Sequence, residues 1–120
     1  MHLVIGGAYQ GKLEFARDQY ALGDDEIYIC TDDSEPDWNC RCIAHLERFV
    51  LYCLKNELPV QMRHRSDAVL LCDDIFCGVV PMDPLERAWR EECGRLLFRL
   101  SQSAESVERV FCGLAAALKK

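Results

Sequence analysis

The chain has 120 residues, half of them apolar, and a formal net charge of −6. That length is expected to make one domain spanning residues 1–120 with a real core, and it excludes a large lid or a second substrate domain. The acidic balance suggests neither a nucleic-acid surface nor a basic membrane face, and no apolar stretch approaches the ~20 residues of a membrane span.

The chain opens on a short apolar run, residues 2–5, which reads as a strand. Residues 5–13, Ile-Gly-Gly-Ala-Tyr-Gln-Gly-Lys-Leu, follow the Gly-x-x-x-x-Gly-Lys pattern of a phosphate-binding loop. Gly6 and Gly11 would let the backbone turn so that N–H groups converge on phosphate oxygens, and Lys12 would reach the terminal phosphates. Leu13 stands where a serine or threonine hydroxyl would normally hold Mg²⁺. Residues 12–22 place Phe15, Ala16 and Tyr20 at near-helical spacing, so strand, loop and helix follow in the required order. The strand starts with no signal-peptide pattern before it, and a cytoplasmic location is expected.

Gly23-Asp24-Asp25 predicts a turn, and residues 26–31 a second strand. A polar loop with Pro36 covers 32–39. From 40 to 58 the residues Ile43, Leu46, Phe49, Val50, Cys53 and Leu54 recur at three- and four-residue steps, which predicts one amphipathic helix. Residues 67–72 form a continuous apolar run ending in Asp73-Asp74. This is the pattern of a buried parallel strand with acids at its carboxyl edge, where α/β sheets place their chemistry. Beside a phosphate loop, Asp73 and Asp74 become candidate Mg²⁺ ligands; alone they would read as groups solvating a strand end.

Residues 78–81 predict a turn and 84–102 a long helix, with Asp83 at its N-cap and Pro84 in its first turn. Leu85, Trp89, Leu96, Leu97 and Leu100 form its buried stripe. Residues 106–112 read as a last strand, broken by Gly113, with 114–118 a short apolar tail. The eight cysteines include no Cys-x-x-Cys pair and are read mostly as small, reduced core residues. Cys40-Arg41-Cys42 with His45 matches a zinc site only weakly.

The alternation implies an α/β fold: a mostly parallel sheet flanked by helices. Residues 73–113 resemble the carboxyl-terminal third of the bifunctional adenosylcobinamide kinase/adenosylcobinamide-phosphate guanylyltransferase family of cobalamin biosynthesis. Gly78, Val80, Pro81, Leu85, Arg87, Arg90, Gly94, Arg95, Leu100 and Gly113 match that family's pattern without a gap. At the amino end Gly6-Gly7-Ala8 and Gly11-Lys12 resemble its Gly-Gly-Ala-Arg-Ser-Gly-Lys-Ser, and Tyr28-Ile29-Cys30-Thr31 its Tyr-Ile-Ala-Thr.

The resemblance implies a shortened P-loop NTPase-like (RecA-like) domain that binds ATP or GTP with Mg²⁺, a cobinamide-type substrate, and a trimeric assembly. It implies Gly6, Gly7, Ala8, Gly11 and Lys12 as the nucleotide cradle, Lys12 and Asp74 as catalytic residues, with Asp74 in place of the family's glutamate, and Asp73 and Asp74 on the metal. Tyr9-Gln10, Leu13 and Leu97-Phe98 depart from the pattern. The segment carrying the family's guanylylated histidine has no counterpart between Thr31 and Trp38. The expectation is a purine-nucleotide-binding relative without guanylyl transfer. It is at most a residual kinase, and the alternative is an inactive scaffold or regulatory protein.

Overall fold

The computed structural model describes residues 1–75 and 83–119. The turn expected at 78–81, and Cys77, lie outside the described residues. Among those described, six strands form one sheet in the order β2-β3-β4-β1-β5-β6, from β1 (His2–Gly6), β2 (Ile27–Ile29), β3 (Cys42–Ala44), β4 (Val69–Asp73), β5 (Ser106–Phe111) and β6 (Leu114–Lys119). The first five run parallel and β6 is antiparallel to β5.

Three α-helices cover the sheet: α1 (Lys12–Tyr20), α2 (Leu46–Lys55) and α3 (Pro84–Ser103). Strand alternation sorts the core onto two faces. Leu3, Ile43, Leu70 and Val107 pack with α2 and α3 through Leu46, Phe49, Val50, Cys93, Leu96 and Leu100. Val4, Cys42, Val69, Leu71 and Val110 pack on the other face with Ala16 of α1 and Leu22. This is the mostly parallel α/β architecture expected. No described helix is long and apolar enough to cross a membrane.

Two expectations need correction. The helix expected over 40–58 is a strand followed by a helix, because Cys42-Ile43-Ala44 forms β3 between β2 and β4. All three residues of β3 are buried, so the run carries no two-residue alternation, and Ile43 falls by coincidence in helical step with Leu46. His45, at φ 55°, separates the two elements. Likewise the tail at 114–118 is the strand β6. Cys112 and Gly113, at φ 51° and 77°, make the two-residue, positive-φ turn that pairs Phe111 with Leu114.

Smaller shifts follow from hydrogen bonding. Asp24–Glu26 is a 3₁₀ turn, so β2 starts at Ile27, and Asp73 is the last residue of β4 rather than the first beyond it. Asp83 caps α3 as expected, its Oδ1 accepting the Leu85 N–H at 2.8 Å.

Candidate functional site

β1 and β4 are neighbours in the sheet, and the connections leaving them diverge, α1 leading from β1 toward β2 and α3 from β4 to β5. A crevice opens there beyond the carboxyl ends of the strands, where open α/β sheets take ligands. The cleft encloses about 630 Å³ and is lined by Ala8, Gly11 and Lys12 from the loop, Thr31 after β2, His45 and Arg48 after β3, and Asp73 of β4.

The glycine loop is shaped by close approach. At Gly6, the end of β1, a Cβ would meet the Val110 carbonyl oxygen at 2.5 Å, so only glycine lets β1 and β5 lie this near. Tyr9 and Gly11 take positive φ, 60° and 89°, and turn the chain into α1. Gln10 ties the loop to the β5–β6 turn: its side-chain Oε1 accepts the Cys112 N–H at 2.7 Å and its carbonyl accepts the Gly113 N–H at 2.8 Å.

Lys12 is buried at the start of α1. Its Nζ donates to the Gly7 carbonyl at 2.7 Å and forms an ion pair with Asp73 Oδ1 at 2.7 Å. Their side chains are 9% and 14% exposed, so the pair is largely withdrawn from water and weakly screened.

Asp74 goes elsewhere. Its N–H donates to the Gly6 carbonyl at 2.7 Å, and its carboxylate pairs with Arg109 of β5 at 3.2 Å, across β1. Asp73 lines the cleft and Asp74 does not. Gly6 and Gly7 are not among the residues that line it. Leu13 lies in the lining and brings no oxygen for a metal, so a Mg²⁺ ion in the usual P-loop position would lack its hydroxyl ligand. The residues present do not fit that arrangement.

The sequence reading missed Glu47. Its side chain is 3% exposed in the first turn of α2; Oε1 accepts the Asp73 N–H at 2.9 Å, and Oε2 lies 3.1 Å from His45 Nδ1. The indole N–H of Trp89 donates to the Glu47 carbonyl at 2.7 Å, so Trp89 is the packing residue expected and also a clamp on this turn. A short apolar run ending in polar groups, Cys42-Ile43-Ala44 before His45, is the same signal that marked β4 and Asp73. It was hidden by the helical spacing around it. Cys40 and Cys42 do not join His45; among the described residues the cluster able to hold a metal is His45, Glu47 and Asp73.

Burial raises the thiols around this cleft. Cys30 and Cys93 are pushed up to about 12, first by desolvation and then by the Glu47 carboxylate, and Cys42 to about 12 by desolvation. The described cysteines are unbridged and, apart from Cys40 and Cys112, buried, which matches their reading as core residues.

No curated protein matches the chain. The model of the cobinamide kinase / cobinamide phosphate guanyltransferase family matches residues 52–118, running from within α2 through β4 and α3 to β6. The glycine loop precedes the matched span. The match covers 67 (118 − 52 + 1) of the 120 residues, and the chain therefore belongs to the cobinamide kinase / cobinamide phosphate guanyltransferase family.

Proposed function

We propose that this chain binds a purine nucleoside triphosphate, ATP or GTP, through Gly6, Gly7, Ala8, Gly11 and Lys12, and that it has lost guanylyl transfer. The observation that carries the reading is the position of Lys12. It stands between a positive-φ glycine loop and a carboxylate, at the start of a helix and in a cleft of about 630 Å³. A triphosphate entering there would exchange the Gly7 carbonyl for phosphate oxygens as the lysine's acceptors, and would meet the N-terminal end of α1.

Asp73 is the acid we assign to the phosphate side of the cleft. Asp74 is assigned to holding Arg109 and the end of β4. Turnover on a cobinamide-type acceptor is at most residual in this reading, because Leu13 removes a direct metal ligand and the transition-state stabilisation it supplies.

Equilibrium dialysis with labelled GTP and ATP, with and without Mg²⁺, tests the binding. Retention of either nucleotide at one equivalent supports it, and retention of neither refutes it. Incubation with α-labelled GTP tests the second half: no acid-labile label on the protein is expected, and a label on His45 would overturn the loss of guanylyl transfer. Self-association, a trimer by family likeness, would use the outer edge of β6, where Leu114 and Leu118 are 76% and 60% exposed. Light scattering should then give a mass above the 13.8 kDa of one chain.

A further inference from the structure

Three donors meet beside the cleft, two of them, His45 and Asp73, in its lining. His45 Nδ1 is 3.1 Å from Glu47 Oε2 and 3.9 Å from Asp73 Oδ2, and the ligand atoms of the three side chains all lie within 4.8 Å of one another. Donors bound about 2.1 Å from a metal ion stand roughly 3.0–3.4 Å apart in octahedral or tetrahedral arrays, so small side-chain adjustments would close the triangle on an ion.

The electrostatics favour a cation. Glu47 and Asp73 bring two carboxylates, 3% and 14% exposed, and Lys12 brings one ammonium. Two carboxylates against one ammonium leave room for one further positive charge in this largely dry place, from the imidazole itself or from a bound ion.

The donors are also held in place. Glu47 Oε1 is fixed by the Asp73 N–H, leaving Oε2 turned toward His45. His45 sits in the left-handed region, φ 55°, at the junction of β3 and α2. Lys12 takes Asp73 Oδ1, while Oδ2 is the oxygen nearer the imidazole. Fixing ligands through their second atoms is how proteins orient a metal's donors.

We propose that His45, Glu47 and Asp73 form a binding site for a divalent first-row transition ion, held by one imidazole nitrogen and two carboxylate oxygens. One nitrogen with two oxygens favours such an ion over Mg²⁺, which prefers oxygen and water alone. Its use at the phosphates, in place of the hydroxyl absent at Leu13, rests on the nucleotide reading; its existence does not.

Mn²⁺ is the probe, since thiols compete poorly for it and this chain has eight. Electron paramagnetic resonance of Mn²⁺ titrated into the full chain at pH 7.5, without nucleotide, should show one site that equimolar Mg²⁺ does not displace. His45→Ala, at a half-exposed side chain, should keep the fold by circular dichroism and lower Mn²⁺ affinity at least tenfold; Glu47→Gln should do the same where it folds. No Mn²⁺ binding, or unchanged affinity in His45→Ala, would show a hydrogen-bonded cluster and overturn the site. GTP binding measured in EDTA separates the two ideas, because it depends on Lys12 and not on His45.

Discussion

Lys12 and Asp73 meet at 2.7 Å at the base of the cleft, so the lysine's charge is held by the carboxylate ending the adjacent strand. The register that pairs Gly6 with Asp73 brings them together: the loop leaves β1 opposite the last residue of β4, and α1 returns Lys12 over that point. In the usual P-loop arrangement the neighbouring hydroxyl would share this space. Leu13 cannot, and Asp73 pairs with the lysine.

Because both side chains are nearly buried, removing Lys12 should leave Asp73 uncompensated beside Glu47. Lys12→Met is expected to lower unfolding free energy by about 3 kcal/mol, the scale for breaking a buried pair, and Asp73→Asn by less, because it also relieves the like charge of Glu47. The double variant should lose less than the sum of the two, which urea denaturation of all four proteins measures as a coupling energy. Simple additivity would mean the two groups do not stabilise each other.

Gly6→Ala should destabilise by about 1–3 kcal/mol, the usual cost of overpacking. The added methyl meets the Val110 carbonyl, a backbone atom that cannot rotate away. Gly7→Ala is the control, since its Cβ would meet only the Gln10 side chain at 3.6 Å. Thermal melts should separate the two, and equal melting temperatures would contradict the account of why glycine ends β1.

Much of this was legible in the sequence where a signal had one meaning. Gly6, Gly11 and Lys12 marked a tight turn from a strand into a helix, and the apolar run before Asp73 had to be a buried strand. What failed was β3, where three residues buried on both sides carry no period of their own and borrow the helical period of α2. Losing β3 moved His45 onto a helix and concealed Glu47, so the cleft's third wall could not be foreseen. β6 was hidden for a different reason: Leu-Ala-Ala-Ala-Leu has low strand preference, and only the positive-φ turn at Cys112-Gly113 returns it to the sheet.

Thiol chemistry should follow burial. Cys112 is exposed and Cys40 half-buried, whereas Cys30, Cys42 and Cys93 are raised to about 12 by desolvation. At pH 8 these three are protonated and should resist iodoacetamide until the chain unfolds. Peptide mapping of a time course is expected to show Cys112 alkylated first among the described cysteines, and early modification of Cys42 would contradict the burial of β3.

The central claim is that the glycine loop holds phosphates, and calorimetric titration of GTP into the wild-type chain and into Lys12→Met tests it most directly. Circular dichroism of the variant first establishes that it is folded, and Lys12→Arg serves in its place if it is not. The account predicts one GTP site in the wild type, with affinity at least tenfold weaker in the variant. No heat of binding in the wild type, or the same affinity in both proteins, would contradict it.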